Sequence, residues 1–112
     1  MKNNIVLIGF MGSGKTTVGR ILARELKVHF ADSDQMIEEK EAMTIPDIFK
    51  RFGEAYFREL EYKTIRSILK KDNTVVSTGG GAVLNKDLLE YMKYNARVVH
   101  LEASVETLWS RI

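Results

Sequence analysis

Short apolar runs alternate along this chain with longer segments of helical spacing. Ile5, Val6, Leu7 and Ile8 form one continuous, β-branched-rich run, the pattern of a strand buried on both faces. Val18, Ile21, Leu22 and Leu26 then recur at helical intervals and predict a helix over residues 15–26. Residues 28–31 read as a second strand leading into Asp32, Ser33 and Asp34, and helical pattern resumes through Met36, Ile37 and Lys40. Thr44 has the character of an N-cap, with Pro46 near the first turn and Asp47 complementing the helix dipole; Gly53 ends that helix. A longer helix spans residues 54–71, with Tyr56, Phe57, Leu60, Ile65, Ile68 and Leu69 apolar. Residues 74–77 form a third strand that runs into three successive glycines. A helix over 87–94, a strand over 97–101 and a final helix capped by Ser104, through Leu108 and Trp109, complete the pattern.

Strands that alternate with helices need crossover connections, so the expected class is α/β. The layout is three layers, a mainly parallel sheet with helices on both faces. No repeat, linker or second composition appears, and residues 1–112 read as one domain. With 45% hydrophobic and 29% charged residues and one proline, the chain has a core and is not low-complexity. The 17 basic residues offset 15 acidic ones, and a net charge of +2 with interspersed signs does not indicate nucleic acid as a partner. The absence of cysteine removes disulfides, thiolate metal sites and a cysteine nucleophile together, and suits a reducing compartment. The apolar run after the N-terminus is interrupted by Gly9 and lacks a small-residue cleavage site. No apolar stretch approaches the roughly 18 residues that span a bilayer. A soluble cytoplasmic protein without a membrane partner is expected.

Glycine changes the picture. Three of the eight glycines lie between positions 9 and 14, and three more at 79–81. Residues 9–16, Gly-Phe-Met-Gly-Ser-Gly-Lys-Thr, fit G-x-x-x-x-G-K-[ST] between a predicted strand and a predicted helix, the context that this motif requires. Gly9, Gly12 and Gly14 allow the tight turn that converges backbone N–H groups, with Ser13, on phosphate oxygens. The next helix points its positive end at the same anion. Lys15 supplies a mobile cation for the β- and γ-phosphates, and the Thr16 hydroxyl suits Mg²⁺; Thr17 follows on the same first turn. A chance match in so short a chain is on the order of 1%. The motif implies a nucleoside triphosphate but not the reaction.

The acceptor side rests on three weaker signals. Asp32 and Asp34 follow the second strand at its carboxyl end, where open α/β sheets bind ligands. If that segment is strand-like, both carboxylates point the same way. One would organise Mg²⁺ through water and the other would accept an acceptor hydroxyl's proton. Equally, they are solvated carboxylates, one of them a helix cap. Gly79, Gly80 and Gly81, after Ser77 and Thr78, carry an entropic cost of roughly 0.5–1 kcal/mol each relative to alanine. A tight turn rarely needs three, so exposed backbone N–H groups or a ligand lying against the chain are the favoured reading. Arg58 and Glu61, three apart on one helix face, fit either a bidentate carboxylate fork or a surface pair stabilising by about 0.2–0.5 kcal/mol.

Taken together and in order, residues 9–16, Asp32-Ser33-Asp34, Phe57-Arg58-x-x-Glu61 and Ser77 to Gly81 closely resemble the shikimate kinase family. The resemblance covers the whole chain and implies a nucleoside monophosphate kinase-like P-loop fold. It implies ATP:shikimate phosphotransfer, giving shikimate 3-phosphate for aromatic biosynthesis. Lys15 and the loop residues Gly12, Ser13, Gly14, Thr16 and Thr17 would hold ATP phosphates, and Thr16 would bind Mg²⁺ with Asp32 in its outer sphere. Asp34 would contact shikimate hydroxyls and activate the attacking one, and Lys15 would act with it in catalysis. Arg58, oriented by Glu61, would pair the shikimate carboxylate, the backbone of Gly79, Gly80 and Gly81 would complete the pocket, and Phe49 and Phe57 would wall the ring. Arg111 resembles the family's adenine-stacking arginine. The family continues beyond position 112 with a lid arginine, a second carboxylate-binding arginine, a further strand and a final helix. The expectation is therefore a C-terminally incomplete fold, monomeric, that binds nucleotide weakly and turns over slowly by itself. Alternatives are a gluconate or nucleotide kinase on the same fold, and a non-catalytic nucleotide-binding module. His29, His100, Trp109 and the five methionines read as packing or surface residues.

Overall fold

A computed structural model of the chain describes residues 3–9, 15–79 and 81–101. Strands β1 (Ile5–Gly9), β2 (His29–Asp32), β3 (Thr74–Ser77) and β4 (Arg97–Leu101) form one parallel sheet in the order β2-β3-β1-β4. Helices α1 (Lys15–Leu26), α2 (Ser33–Glu41), α3 (Ile45–Phe52), α4 (Glu54–Leu69) and α5 (Lys86–Asn95) connect them, with a 3-10 turn at Ala82–Leu84. The parallel α/β class expected from the alternating pattern is the class observed. The helix expected after Ser104 lies outside the described residues.

The period of two along β1 sorts its side chains to two cores. Val6 and Ile8, with Val76 of β3, pack on Ile65, Ile68 and Leu69 of α4 and on Leu88 and Met92 of α5. Leu7 and Val75 point the other way, onto Ala23, Val18 and Leu22 of α1. Both faces of the central strands are thus covered, and the continuous apolar run satisfies both layers. On the α1 side the fit is close: a Cβ on Gly19 would lie 2.6 Å from the Phe30 ring. A third core of Ile37, Ile48 and Phe57 joins α2, α3 and α4, with Phe49 and Leu60 against it. This small helical unit carries Asp34, Phe49, Phe57, Arg58 and Glu61 of the acceptor side.

Two boundaries shift for identifiable reasons. The helix expected to reach Lys71 ends at Leu69. There the buried Asn4 side chain donates to the carbonyls of Leu69 (3.4 Å) and Lys71 (2.8 Å), and its Oδ1 accepts from the Thr74 N–H (3.0 Å). One asparagine therefore satisfies the end of α4 and the start of β3. The second shift bears on function. The Asp32–Asp34 segment is not strand-like: β2 ends at Asp32 and α2 begins at Ser33. Asp32, extended at φ −112° and ψ 113°, accepts from the Gln35 N–H at 3.1 Å through Oδ1 and caps α2. Of the two readings of this segment, the helix cap is the one observed for Asp32, and the strand-like continuation through Asp34 is not.

Candidate active site

All strands run parallel, so the residues that follow them gather at one edge of the sheet. Gly9 closes β1, with φ +152°. Asp32 closes β2, and Thr78, Gly79 and Gly81 follow β3. Thr78 extends the strand pairing by one residue, since its N–H and its hydroxyl both donate to the Leu7 carbonyl, at 3.1 and 3.0 Å. Those two hydrogen bonds pin the start of the glycine loop beside the end of β1. Sequence reading assigned Thr78 no role, although a buried threonine at a strand end, before glycines, is suited to this anchoring.

Two of the candidate side chains rest on that loop. Asp34, in the first turn of α2, brings its carboxylate against Gly79: a Cβ there would stand 2.7 and 2.8 Å from the two carboxylate oxygens. Arg58, in the first half of α4, lays its guanidinium against Gly81, where a Cβ would stand 2.6 Å from Nη1 and 2.8 Å from Cζ. Arg58 Nη1 donates to Glu61 Oε1 at 3.0 Å and Nε lies 3.5 Å from the exposed Glu54 carboxylate. Its guanidinium carbon sits 5.3 Å from the Phe57 ring centroid and 6.0 Å from that of Phe49. The two rings pack at 4.9 Å. A planar cation flanked by rings and a carboxylate has the chemistry for forked recognition of an anion.

Glu61 is buried with 1% exposure, and its Oε2 has no hydrogen-bond partner among the described residues. Burial pushes its carboxyl above the usual value; the Arg58 hydrogen bond and charge oppose this, and the Asp34 charge reinforces it. Ser33, fully buried between Asp32 and Asp34, likewise has a hydroxyl without a partner among the described residues.

Asp34, Arg58, Glu61, Gly79, Gly81, Phe49 and Phe57 are therefore brought together. Asp32 stands at the same edge as the cap of α2. Thr17 is exposed on α1, whose first residues are Lys15 and Thr16. Gly12, Ser13, Gly14, Gly80 and Arg111 lie outside the described residues, as do the side chains of Lys15 and Thr16. A cavity of about 480 Å³ opens at the opposite, amino edge of the sheet, lined by Ile5, Leu26, Tyr94 and Arg97 among others. It holds none of these residues; converging chemistry, not volume, locates the site.

Comparison with known proteins identifies the family. A family model described as shikimate kinase matches residues 11–112. A shikimate kinase of Sulfurihydrogenibium sp. (strain YO3AOP1) is 53% identical over 109 residues, which cover 97% of this chain and 66% of that protein. The structure of a shikimate kinase from Acinetobacter baumannii in complex with shikimate has a TM-score of 0.88 and 42% identity, over 99% of this chain and 62% of the other. That from Aquifex aeolicus has a TM-score of 0.86 and 43% identity, over 94% and 62%. The chain thus spans slightly under two thirds of the length of these relatives. On these grounds the chain belongs to the shikimate kinase family.

Proposed function

We propose that this chain forms one kinase domain that transfers the γ-phosphoryl group of ATP to a hydroxyl of shikimate, giving shikimate 3-phosphate. The observation that carries this reading is the pairing of Asp34 and Arg58 on one glycine loop, at the sheet edge where the phosphate-loop motif also begins. An acceptor with a carboxylate at one end and hydroxyls at the other suits such a pair. Arg58 forks the carboxylate while Asp34 accepts the proton of the attacking hydroxyl. The O–P bond forms as the bond from the γ-phosphorus to the β,γ-bridging oxygen breaks, and ADP leaves. Phe49 and Phe57 cover the ring. Lys15 and the amides of residues 12–17 hold the phosphates, and Arg111 stacks on the adenine.

Mg²⁺ fits the donors available. No group of three or more His, Cys, Asp or Glu residues able to hold a metal occurs among the described residues. Mg²⁺ needs no such cage, being held by one or two side chains together with waters and phosphates. Thr16 and, through water, Asp32 would hold it, and it supplies charge neutralisation at the β- and γ-phosphates when bound. The partners are two small molecules, and the chain acts as a monomer in the cytoplasm. No helix among the described residues is long and apolar enough to cross a membrane.

Calorimetric titration with shikimate, gluconate and AMP, alongside ADP release with each acceptor and Mg·ATP, tests the proposal. Binding and turnover confined to shikimate are expected. Response to another acceptor and not to shikimate refutes it.

A further inference from the structure

We infer that Gly79 and Gly81 are positioning residues whose missing side chains seat Asp34 and Arg58 separately, Gly79 setting hydroxyl handling and Gly81 setting selectivity for the acceptor's carboxylate. The assignment of those two tasks rests on the proposed function; the seating rests on geometry alone.

Glycine is required where φ is positive or where another group approaches the backbone too closely for a Cβ. The first reason is absent at both positions. Gly81 has φ −96° and ψ 1°, open to alanine. Gly79 is not among the positive-φ glycines of the described residues, which are Gly9 and Gly53. Gly53 is the opposite case, with φ +87° and nothing within 4 Å of an added Cβ. At 79 and 81 it is space that forbids a side chain. The space is taken by the chain's own functional groups: both carboxylate oxygens of Asp34 within 2.8 Å of the Gly79 Cβ position, and Nη1, Nη2 and Cζ of Arg58 against that of Gly81.

The intruding atoms are in each case the tips of side chains, not backbone. An added methyl is therefore relieved by withdrawing the carboxylate or the guanidinium by roughly 0.6–1 Å, to ordinary contact distance, while the backbone stays in place. The fold survives and the site changes. Withdrawal of Arg58 also strains its 3.0 Å hydrogen bond to Glu61 and shifts the donors aimed at a bound carboxylate. Displacements of this order matter in reacting geometry, where about 1 Å can reduce a rate by roughly 10²-fold.

The experiment uses the 112-residue chain with Gly79→Ala, Gly81→Ala, Asp34→Ala, Arg58→Ala and the four doubles that combine a glycine with a charged position. Thermal unfolding without ligand comes first. In the matched pairs, 79 with 34 and 81 with 58, the alanine lowers the melting temperature in the single variant and adds almost nothing in the double. In the crossed pairs the effects add. Calorimetry with shikimate and its neutral carboxamide follows. Gly81→Ala weakens shikimate binding by about 10–100-fold, the worth of a charge-assisted bond, and leaves carboxamide binding unchanged. Gly79→Ala weakens both ligands alike.

Additive matched pairs, or an acid-over-amide preference that survives Gly81→Ala, overturn the inference. If Gly81→Ala does not fold, the Arg58→Ala background must rescue it; failure there also overturns the inference. A parent chain that binds no shikimate refutes the proposed function instead, and the unfolding cycles still decide the seating.

Discussion

Replacing Glu61 by Gln separates the electrostatic cost of this site from its packing. In the parent chain one carboxylate oxygen receives a charge-assisted bond from Arg58 at 3.0 Å, worth about 1.5–3 kcal/mol. Arg58 keeps 26% exposure of its side chain, so the lower end of that range applies. The other oxygen is buried without a partner among the described residues, at a cost of about 1–3 kcal/mol. The two nearly cancel, so near neutral pH the substitution should alter stability by less than about 1.5 kcal/mol in either direction.

The pH dependence is the sharper observable. Burial raises the Glu61 pKa above its ordinary 4.5, so the folded state binds the proton more tightly than the unfolded chain. The stability that this proton confers is complete below the unfolded pKa and is lost as pH rises through the folded one. The parent's stability relative to Glu61→Gln should therefore fall as pH is raised from about 4.5 to neutrality. Urea unfolding of both chains at several pH values in that interval measures the difference directly. A difference that grows with pH would show that the Arg58 charge, not burial, dominates Glu61, and would refute the reasoning.

Two further outcomes are expected. Asn4→Ala removes two good hydrogen bonds at the amino edge and leaves the buried Thr74 N–H unsatisfied; a loss of about 2–4 kcal/mol is expected by urea unfolding. Gly53→Ala should cost about 1–3 kcal/mol through its φ of +87° alone, measured by thermal unfolding, with the ratio of shikimate to carboxamide affinity unchanged because nothing lies near the new methyl.

Much of the fold was legible because it rests on local signals. Ile5 to Ile8 have the pattern of a strand covered on both faces, and the helix over 15–26, the strand over 74–77 and the strand over 97–101 have the bounds that periodicity assigns. Thr44, Pro46 and Gly53 delimit α3 through capping chemistry that is complete within a few residues. The Asp32–Asp34 segment reads in sequence as either a strand-like continuation or a helix cap, and a side-chain hydrogen bond decides for the cap. The Asp32 side chain makes that bond with Gln35, and residue spacing carries no record of it.

The sequence by itself determined the parallel α/β class and the phosphate-loop motif, and it assembled the residue types of the acceptor side. The order and spacing of those residues already resembled the family to which the chain belongs. What only the tertiary structure decided was which of them meet. Asp34 meets Gly79 and Arg58 meets Gly81 across separations of 45 and 23 positions, and Asn4 binds Thr74 across 70. Such contacts depend on how helices α2 and α4 sit on a shared core and on the order in which strands pair. Those are properties of packing among distant segments, and no local pattern along the chain encodes them one residue at a time.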